Sequence, residues 1–377
     1  MKILKIIHTL GHGGAENAFR WLAYGLQREG VEVIAAIPDT AAVRKKGWIA
    51  TALEEVAIPY VTFDKSGSPL RMLKNMYDLI GRVRPDVVHS HLLDSNFYSS
   101  LACRPRAIPH VCTEHGDLLF VRGTTAKTKY ASIAVCSRLV VCVSEAVKKS
   151  AAWTIPARKL VTVPNGIRFF TPGISTFRAE FGIPSTAVLI GNVGNLYPVK
   201  GQKYLVDAFA RLLKSHPESC LVLVGRGAEE NSLQKQVREL DIPVGRVIFT
   251  GFRNDVENIL NALNLYVQPS LSEGHPLAVL EAMSLGIPVI ASAVGGIPEV
   301  FEQERYGTLV APGSSEALHA ALLTYFRHPL TFQEKGASAR VHVQKNFSIE
   351  QMTERYIGLY EQILGGQRVG EHKHMVS

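Results

Sequence analysis

The residues best suited to chemistry lie in one short stretch, Pro269-Ser-Leu-Ser-Glu273-Gly274-His275-Pro276-Leu277-Ala-Val-Leu-Glu281-Ala-Met. Pro276 suits the first turn of a helix and Gly286 its end. Glu273 then falls in the loop before the helix and Glu281 inside it. A loop carboxylate beside unsatisfied helix N–H groups adds little to stability. It makes sense if polyols and a diphosphate meet there, because carboxylates accept hydroxyl protons and N–H groups take phosphate oxygens.

A second candidate is the loop Leu10-Gly11-His12-Gly13-Gly14-Ala15-Glu16, which follows the first apolar run and opens a helix. Its glycines let backbone approach an anion at the helix N-terminus. A dinucleotide fingerprint would have glycine where Glu16 stands, and no Gly-Lys-Ser/Thr follows, so the loop reads as an anion site of neither type. Histidines supply a third group. His89 and His91, two residues apart behind a strand, are expected on opposite sides, with at most one in a given cleft. His115 ends the next strand, where open α/β sheets bind ligands.

The elements that must position these residues alternate. Apolar runs at 3–8, 31–37, 60–63, 86–89, 110–113 and 138–143 are separated by amphipathic stretches such as 15–29 and 69–84. The pattern restarts with 187–193, 221–224, 247–250, 265–268 and 288–291. Strands alternating with helices predict parallel sheets covered on both faces, here in two doubly wound α/β domains. Turn and linker signals between 163 and 184 place the boundary. The expected division is 1–168, 169–348, a C-terminal helix over 349–365 stopped by Gly365-Gly366, and a flexible tail over 366–377.

Composition narrows the class. The chain has 377 residues, 46% of them hydrophobic and 20% charged, enough for about two cored domains. The five cysteines form no C-x-x-C pair and suggest a reducing cytosol rather than a disulfide framework or zinc site. No apolar run is long enough to span a membrane, and no secretory leader is evident. Net charge is +8. Up to Arg168 there are 23 Lys/Arg and 13 Asp/Glu, and beyond it 18 and 20. The basic half suggests an anionic partner such as a membrane surface or nucleotide. The stretch 69–84, with Leu70, Leu73, Met76, Tyr77 and Ile80 among Arg71, Lys74, Arg82 and Arg84, is either a lipid-facing basic helix or, the favoured reading, a domain helix with a solvated face. Lys127, Lys129, Lys148 and Lys149 add to the same half. No basic run is interleaved with stacking aromatics, which speaks against nucleic acid. No Asp-x-Asp cluster is positioned for a metal.

The E-x7-E spacing of Glu273 and Glu281 within S-E-G-x-P-L…E-A-M resembles the signature of family 4 glycosyltransferases with the GT-B fold. Gly13-Gly14-Ala15-Glu16, Asp86-Val-Val-His89-Ser-His91, Val143-Ser-Glu145, Pro164-Asn-Gly166 and Gly194-Asn195-Leu196…Lys200-Gly201 resemble further elements of that family in the expected order. The resemblance spans residues 1 to 365. It implies two Rossmann-like domains facing a cleft, with the C-terminal helix crossing back to the first. It implies that Glu281 holds the ribose and Glu273 the donor sugar, while backbone N–H groups from Gly274 through His275 and Pro276 to Leu277 touch sugar and phosphate. Lys200 would neutralise the leaving diphosphate, with Gly13 and Gly14 facing it. His91 would lie next to the reacting carbon, and Glu16 and His115 on the acceptor side. Gly225, Phe252 and Arg253 would lie near the nucleobase. The family has arginine where this chain has Asn195, and Arg226 or Arg253 is a candidate substitute.

The resemblance further implies retention of anomeric configuration, no metal or other cofactor, a nucleotide-diphosphate sugar donor and a glycan or lipid-linked glycan acceptor. It fits bacterial surface polysaccharide or glycolipid synthesis at the inner face of the cytoplasmic membrane. Two other classes compete. A dehydrogenase would use the first glycine loop with Asp39 on a ribose, leaving Glu273 and Glu281 without a purpose. A non-catalytic sugar-nucleotide-binding protein would fit Asn195.

Overall fold

A computed structural model describes residues 1–39, 47–116 and 123–368. It divides the chain into two compact units. The first comprises Met1–Gly166 together with the segment from Ile349 onward, and the second Ile167–Ser348. The boundary thus falls two residues before the expected 168, directly after the Pro164-Asn-Gly166 turn.

The first unit carries seven strands: β1 (Lys2–Ile7), β2 (Glu32–Pro38), β3 (Tyr60–Phe63), β4 (Val87–His91), β5 (His110–Glu114), β6 (Leu139–Cys142) and β7 (Leu160–Thr162). All pairings are parallel, in the order β3-β2-β1-β4-β5-β6-β7. Successive residues of a strand point to opposite faces, and the core is divided accordingly. Ile3 and Ile7 pack with Phe19, Leu22 and Leu26 of helix Gly14–Arg28 and with Met352, Tyr356 and Tyr360 of helix Ile349–Arg368. Leu4 and Ile6 pack on the other face with Met72, Met76, Leu79 and Ile80 of helix Pro69–Val83.

That division decides the nature of helix Pro69–Val83. Its apolar side faces the sheet, and Ser68 caps its start by accepting a hydrogen bond from the Arg71 N–H. Leu70 is exposed, and Tyr77 lies beneath the Arg106 guanidinium, 3.8 Å from its carbon. The lipid-facing alternative for this helix is therefore set aside, since its apolar stripe is already covered.

The C-terminal helix runs from Ile349 to Arg368 and passes through Gly365-Gly366, where a stop was expected. Glycine costs a helix about 1 kcal/mol but does not forbid it. Burial of Ile363 and packing of Leu364 on the core each oppose that cost with roughly 1.5–3 kcal/mol at full burial. Close approach secures the helix to the body of the unit: a Cβ on Gly25 would meet Thr353 Oγ1 at 2.0 Å. Of the expected tail, residues 369–377 lie outside the described residues.

The second unit has six parallel strands: β8 (Leu189–Val193), β9 (Cys220–Val224), β10 (Val247–Gly251), β11 (Leu265–Gln268), β12 (Val289–Ser292) and β13 (Thr308–Val310), in the order β10-β9-β8-β11-β12-β13. Both sheets are doubly wound, as expected. β7 and β13, of three residues each, were not foreseen. In each sheet the winding reverses between the first strand and its neighbour, β1 and β4 in one unit and β8 and β11 in the other. Ligands of such sheets bind at the carboxyl ends of the strands flanking that reversal. Among the described residues no helix is long and apolar enough to cross a membrane.

Candidate active site

In the second unit the loops following β8 and β11 meet. Leu271 N–H donates to Val199 O at 2.8 Å. Gly201 has φ +67°, and a Cβ there would lie 2.2 Å from Pro269 O. Gly295, at φ +54°, would place a Cβ 1.6 Å from Glu273 O. Only glycine allows both the left-handed backbone and the close approach. These contacts bring Lys200 and Glu273 together: Lys200 Nζ donates to Glu273 Oε1 at 2.7 Å.

Glu273 is only 7% exposed, so its charge requires partners. Two more donors reach the same oxygen, Ser270 Oγ at 2.7 Å and Gln268 Nε2 at 3.0 Å. Gln268 is oriented in turn by Tyr266, whose hydroxyl donates to Gln268 Oε1 at 2.6 Å. Burial pushes the Tyr266 phenol well above its usual range, so it remains a donor. All three donors converge on Oε1, and none of them uses Oε2.

Pro276 stands one position earlier than expected, at the cap of helix Leu277–Ser284 rather than in its first turn. Its φ of −77° and ψ of 109° are extended, as a cap requires. Glu281 follows Leu277 by one helical turn and is partly exposed. Gly274 accepts from Gly296 N–H at 3.0 Å. His275 is buried, its ring 5.3 Å from that of Phe347, and burial pushes its pKa down to about 3. It is neutral at physiological pH.

Asn195 follows β8, and its carbonyl accepts from Gln202 Nε2 at 3.2 Å. Gly225 follows β9 against Gly194. Arg226 lies over the Phe252 ring at 5.2 Å. Arg253 is committed elsewhere: it makes a two-pronged contact with Glu180, at 2.5 and 2.9 Å, and another with Asp255, at 2.7 and 2.8 Å. With two carboxylates on it, Arg253 is a poor substitute for the cation that Asn195 replaces.

In the first unit, Gly13 caps helix Gly14–Arg28 in an extended conformation, and Glu16 accepts from Thr9 Oγ1 at 2.5 Å. The histidines depart from expectation. His89 and His91 lie on the same side of β4, with ring centroids 4.4 Å apart, because residues two apart in a strand share a face. His89 is tied to Tyr360 OH at 2.6 Å and Thr113 Oγ1 at 2.8 Å. His91 uses both ring nitrogens: Nδ1 meets His115 Nε2 at 2.9 Å and Nε2 meets Lys5 Nζ at 3.0 Å. Burial, then the Lys5 charge, pushes the pKa of His91 well below the usual range. The same causes bring His115 to about 3. Lys5, Gln268, Ser270 and Tyr266 were missed. Lys5 carried one signal, a cation inside the aliphatic run of a strand covered on both faces.

Two doubly wound units, each with its reactive side chains at the winding reversal, make up the GT-B architecture of glycosyltransferases. The description "Glycosyltransferase Family 4" matches residues 12–169, and "Glycosyl transferases group 1" matches residues 173–340. The chain belongs to the family 4 glycosyltransferases, enzymes that draw on nucleotide-sugar donors. It is 28% identical over 269 residues to the UDP-Gal:alpha-D-GlcNAc-diphosphoundecaprenol alpha-1,3-galactosyltransferase of Escherichia coli, covering 67% of this chain and 70% of that protein. It is 32% identical over 198 residues to the lipopolysaccharide core mannosyltransferase LpcC of Rhizobium leguminosarum, covering 50% and 56%. Among solved structures it resembles Anabaena HepE in complex with UDP and glucose, with TM-score 0.86, 23% identity and coverage of 96% and 100%. Membership of this family displaces the dehydrogenase and non-catalytic alternatives.

One buried acid near the histidines titrates unusually. Glu114 is 4% exposed and accepts from Asn96 Nδ2 at 2.8 Å and Tyr130 OH at 3.4 Å. Burial outweighs these bonds and pushes its pKa up to about 7. The folded pKa exceeds the unfolded one, so stability falls as pH rises from about 4.5 to 7 and is level above. Glu114→Gln removes this penalty. At pH 8 the variant should be the more stable by up to about 3 kcal/mol, and the difference should vanish near pH 4. Urea unfolding at the two pH values checks this; an equal offset at both would refute the assignment.

Proposed function

We propose that the enzyme transfers a sugar from a UDP- or GDP-linked donor to a hydroxyl of a glycan or lipid-linked glycan, with retention and without a resident metal. The observation that carries the reading is the buried Glu273, pinned through Oε1 by Lys200, Ser270 and Gln268 at the reversal point, with Glu281 one turn into the adjoining helix. Glu273 Oε2 would bind donor-sugar hydroxyls and Glu281 the ribose. As the bond from the anomeric carbon to the diphosphate breaks, negative charge grows on the leaving oxygen. The Lys200 ammonium and the N–H groups around Gly274 and Leu277 are placed to stabilise it. The acceptor oxygen bonds to the same carbon on the face the diphosphate leaves, and its proton passes to a phosphate oxygen. Gly13 and Gly14 would add N–H groups toward the diphosphate. His91, His115 and Glu16 would serve the reacting carbon and the acceptor.

The E. coli relative is named for a UDP-sugar donor and a diphosphoundecaprenol acceptor, and the Anabaena structure holds UDP. Both support a donor of this class. Calorimetry with UDP, GDP, ADP and their sugars should show tight binding of one nucleotide, unaltered by EDTA. Glu281→Ala should weaken it about 10- to 100-fold, the loss of a charged hydrogen-bond partner. Unchanged affinity in that variant, or binding abolished by EDTA, would sink these assignments.

Peripheral contact with anionic membrane fits such an acceptor. Trp153 is 81% and Val135 63% exposed, both at the edge of the sheet where β6 and β7 begin. Lys159 donates to the carbonyls of Ala134, Val135 and Ser137 there, within electrostatic reach of Arg158, Arg138 and Arg104. An aromatic ring among cations suits a headgroup layer. The enzyme should sediment with phosphatidylglycerol vesicles but not with phosphatidylcholine ones, and Trp153→Ala should reduce the bound fraction. Equal binding to both lipids, or none, would contradict this part.

A further inference from the structure

Lys5 is fully buried in the middle of β1, on the same face as Ile3 and Ile7. Register places it beside Ala35 of β2 and His89 of β4. Its amine meets His91 Nε2 at 3.0 Å and lies 4.8 Å from the centre of the Phe19 ring. Around it stand His89 and His91 on β4, His115 after β5, and Tyr356 and Tyr360 of the C-terminal helix. Among the described residues no carboxylate pairs with it. A buried lysine without a counter-charge works against stability, because burial opposes its charged form. A methionine would fill the same space without that cost.

The hydrogen bonds give Lys5 a purpose. An ammonium only donates, and a neutral amine can donate as well. If Lys5 donates to His91 Nε2, that nitrogen is the acceptor and a neutral His91 carries its hydrogen on Nδ1. His91 Nδ1 then donates to His115 Nε2, 2.9 Å away. His115, neutral and accepting at Nε2, must in turn carry its hydrogen on Nδ1. One buried donor thereby orients two imidazoles in series. Without it, a neutral histidine favours the hydrogen on Nε2, which would reverse the chain and leave His115 Nδ1 as an acceptor.

We propose that Lys5 is a positioning residue: through His91 it fixes His115 as the Nδ1–H tautomer, so that His115 presents a hydrogen-bond donor to an oxygen of the sugar or phosphate. The proposal rests on the reading that His91 and His115 belong to the site. A partner that fixes a histidine tautomer can govern turnover without touching substrate.

The test uses the full chain with 15N-labelled histidine, read by two-bond 1H–15N correlation. The signals of His91 and His115 are identified by their loss in His91→Gln and His115→Gln. Both residues should be Nδ1–H in the native enzyme and Nε2–H in Lys5→Met. Lys5→Gln, which keeps a donor, should preserve the native pattern and serves as a second variant should Lys5→Met fail to fold. Lys5→Met should melt no lower than the native enzyme, while hydrolysis of the bound nucleotide sugar falls at least about tenfold and donor Kd stays within about twofold. Nε2–H on His115 in the native enzyme, identical tautomers in Lys5→Met, or undiminished turnover in that variant would overturn the proposal. Full turnover in His91→Gln would instead remove His91 from the site, a failure of the underlying reading that the tautomer spectra distinguish from failure of the Lys5 assignment.

Discussion

A parallel sheet that reverses its winding leaves a gap at its carboxyl edge, because the connections on either side of the reversal depart to opposite faces. Everything reactive in this chain depends on that constraint. In the second unit the reversal lies between β8 and β11, and the two loops that leave there carry Lys200 and Glu273. In the first it lies between β1 and β4, where the glycine loop and His91 sit. The sheets supply rigidity through buried strands, and the loops supply polar groups that the strands could not tolerate.

Glu273 illustrates how such a group is retained. A buried carboxylate is costly unless paired and hydrogen-bonded. Three donors on one oxygen meet that requirement, and Tyr266 and Gln268 behind them limit its freedom. Charge enters the first unit differently. Lys5 has an imidazole rather than a carboxylate as its hydrogen-bond partner, and the neighbouring histidines are held neutral by burial and by the lysine. One unit thus holds an ion pair, and the other a row of neutral rings beside a lone buried amine.

Much of this was legible in the sequence. Alternating apolar runs and amphipathic stretches suffice for two doubly wound units, since strands buried on both faces must be aliphatic. Glu273 and Lys200 stood out because charged residues in glycine-containing loops have little structural purpose. Contacts made across the fold were harder to read. Nothing local to Gln268 or Ser270 distinguishes them from ordinary polar residues at a strand end. The shared face of His89 and His91 follows from strand periodicity, and the expectation of opposite sides neglected that both lie within β4. Gly365-Gly366 looked like a stop because helix propensity is local, whereas the burial of Ile363 is not. Arg253 looked available because its partner Glu180 is remote in sequence.

The central claim is that the donor is held at the reversal point of the second unit. Amide hydrogen exchange with and without a saturating nucleotide sugar tests it most directly, because it reads every segment at once. The account predicts slower exchange in residues 194–201 and 269–281, centred on Lys200, Glu273 and the start of helix Leu277–Ser284. Protection confined to other segments, with those two loops unchanged, would contradict it.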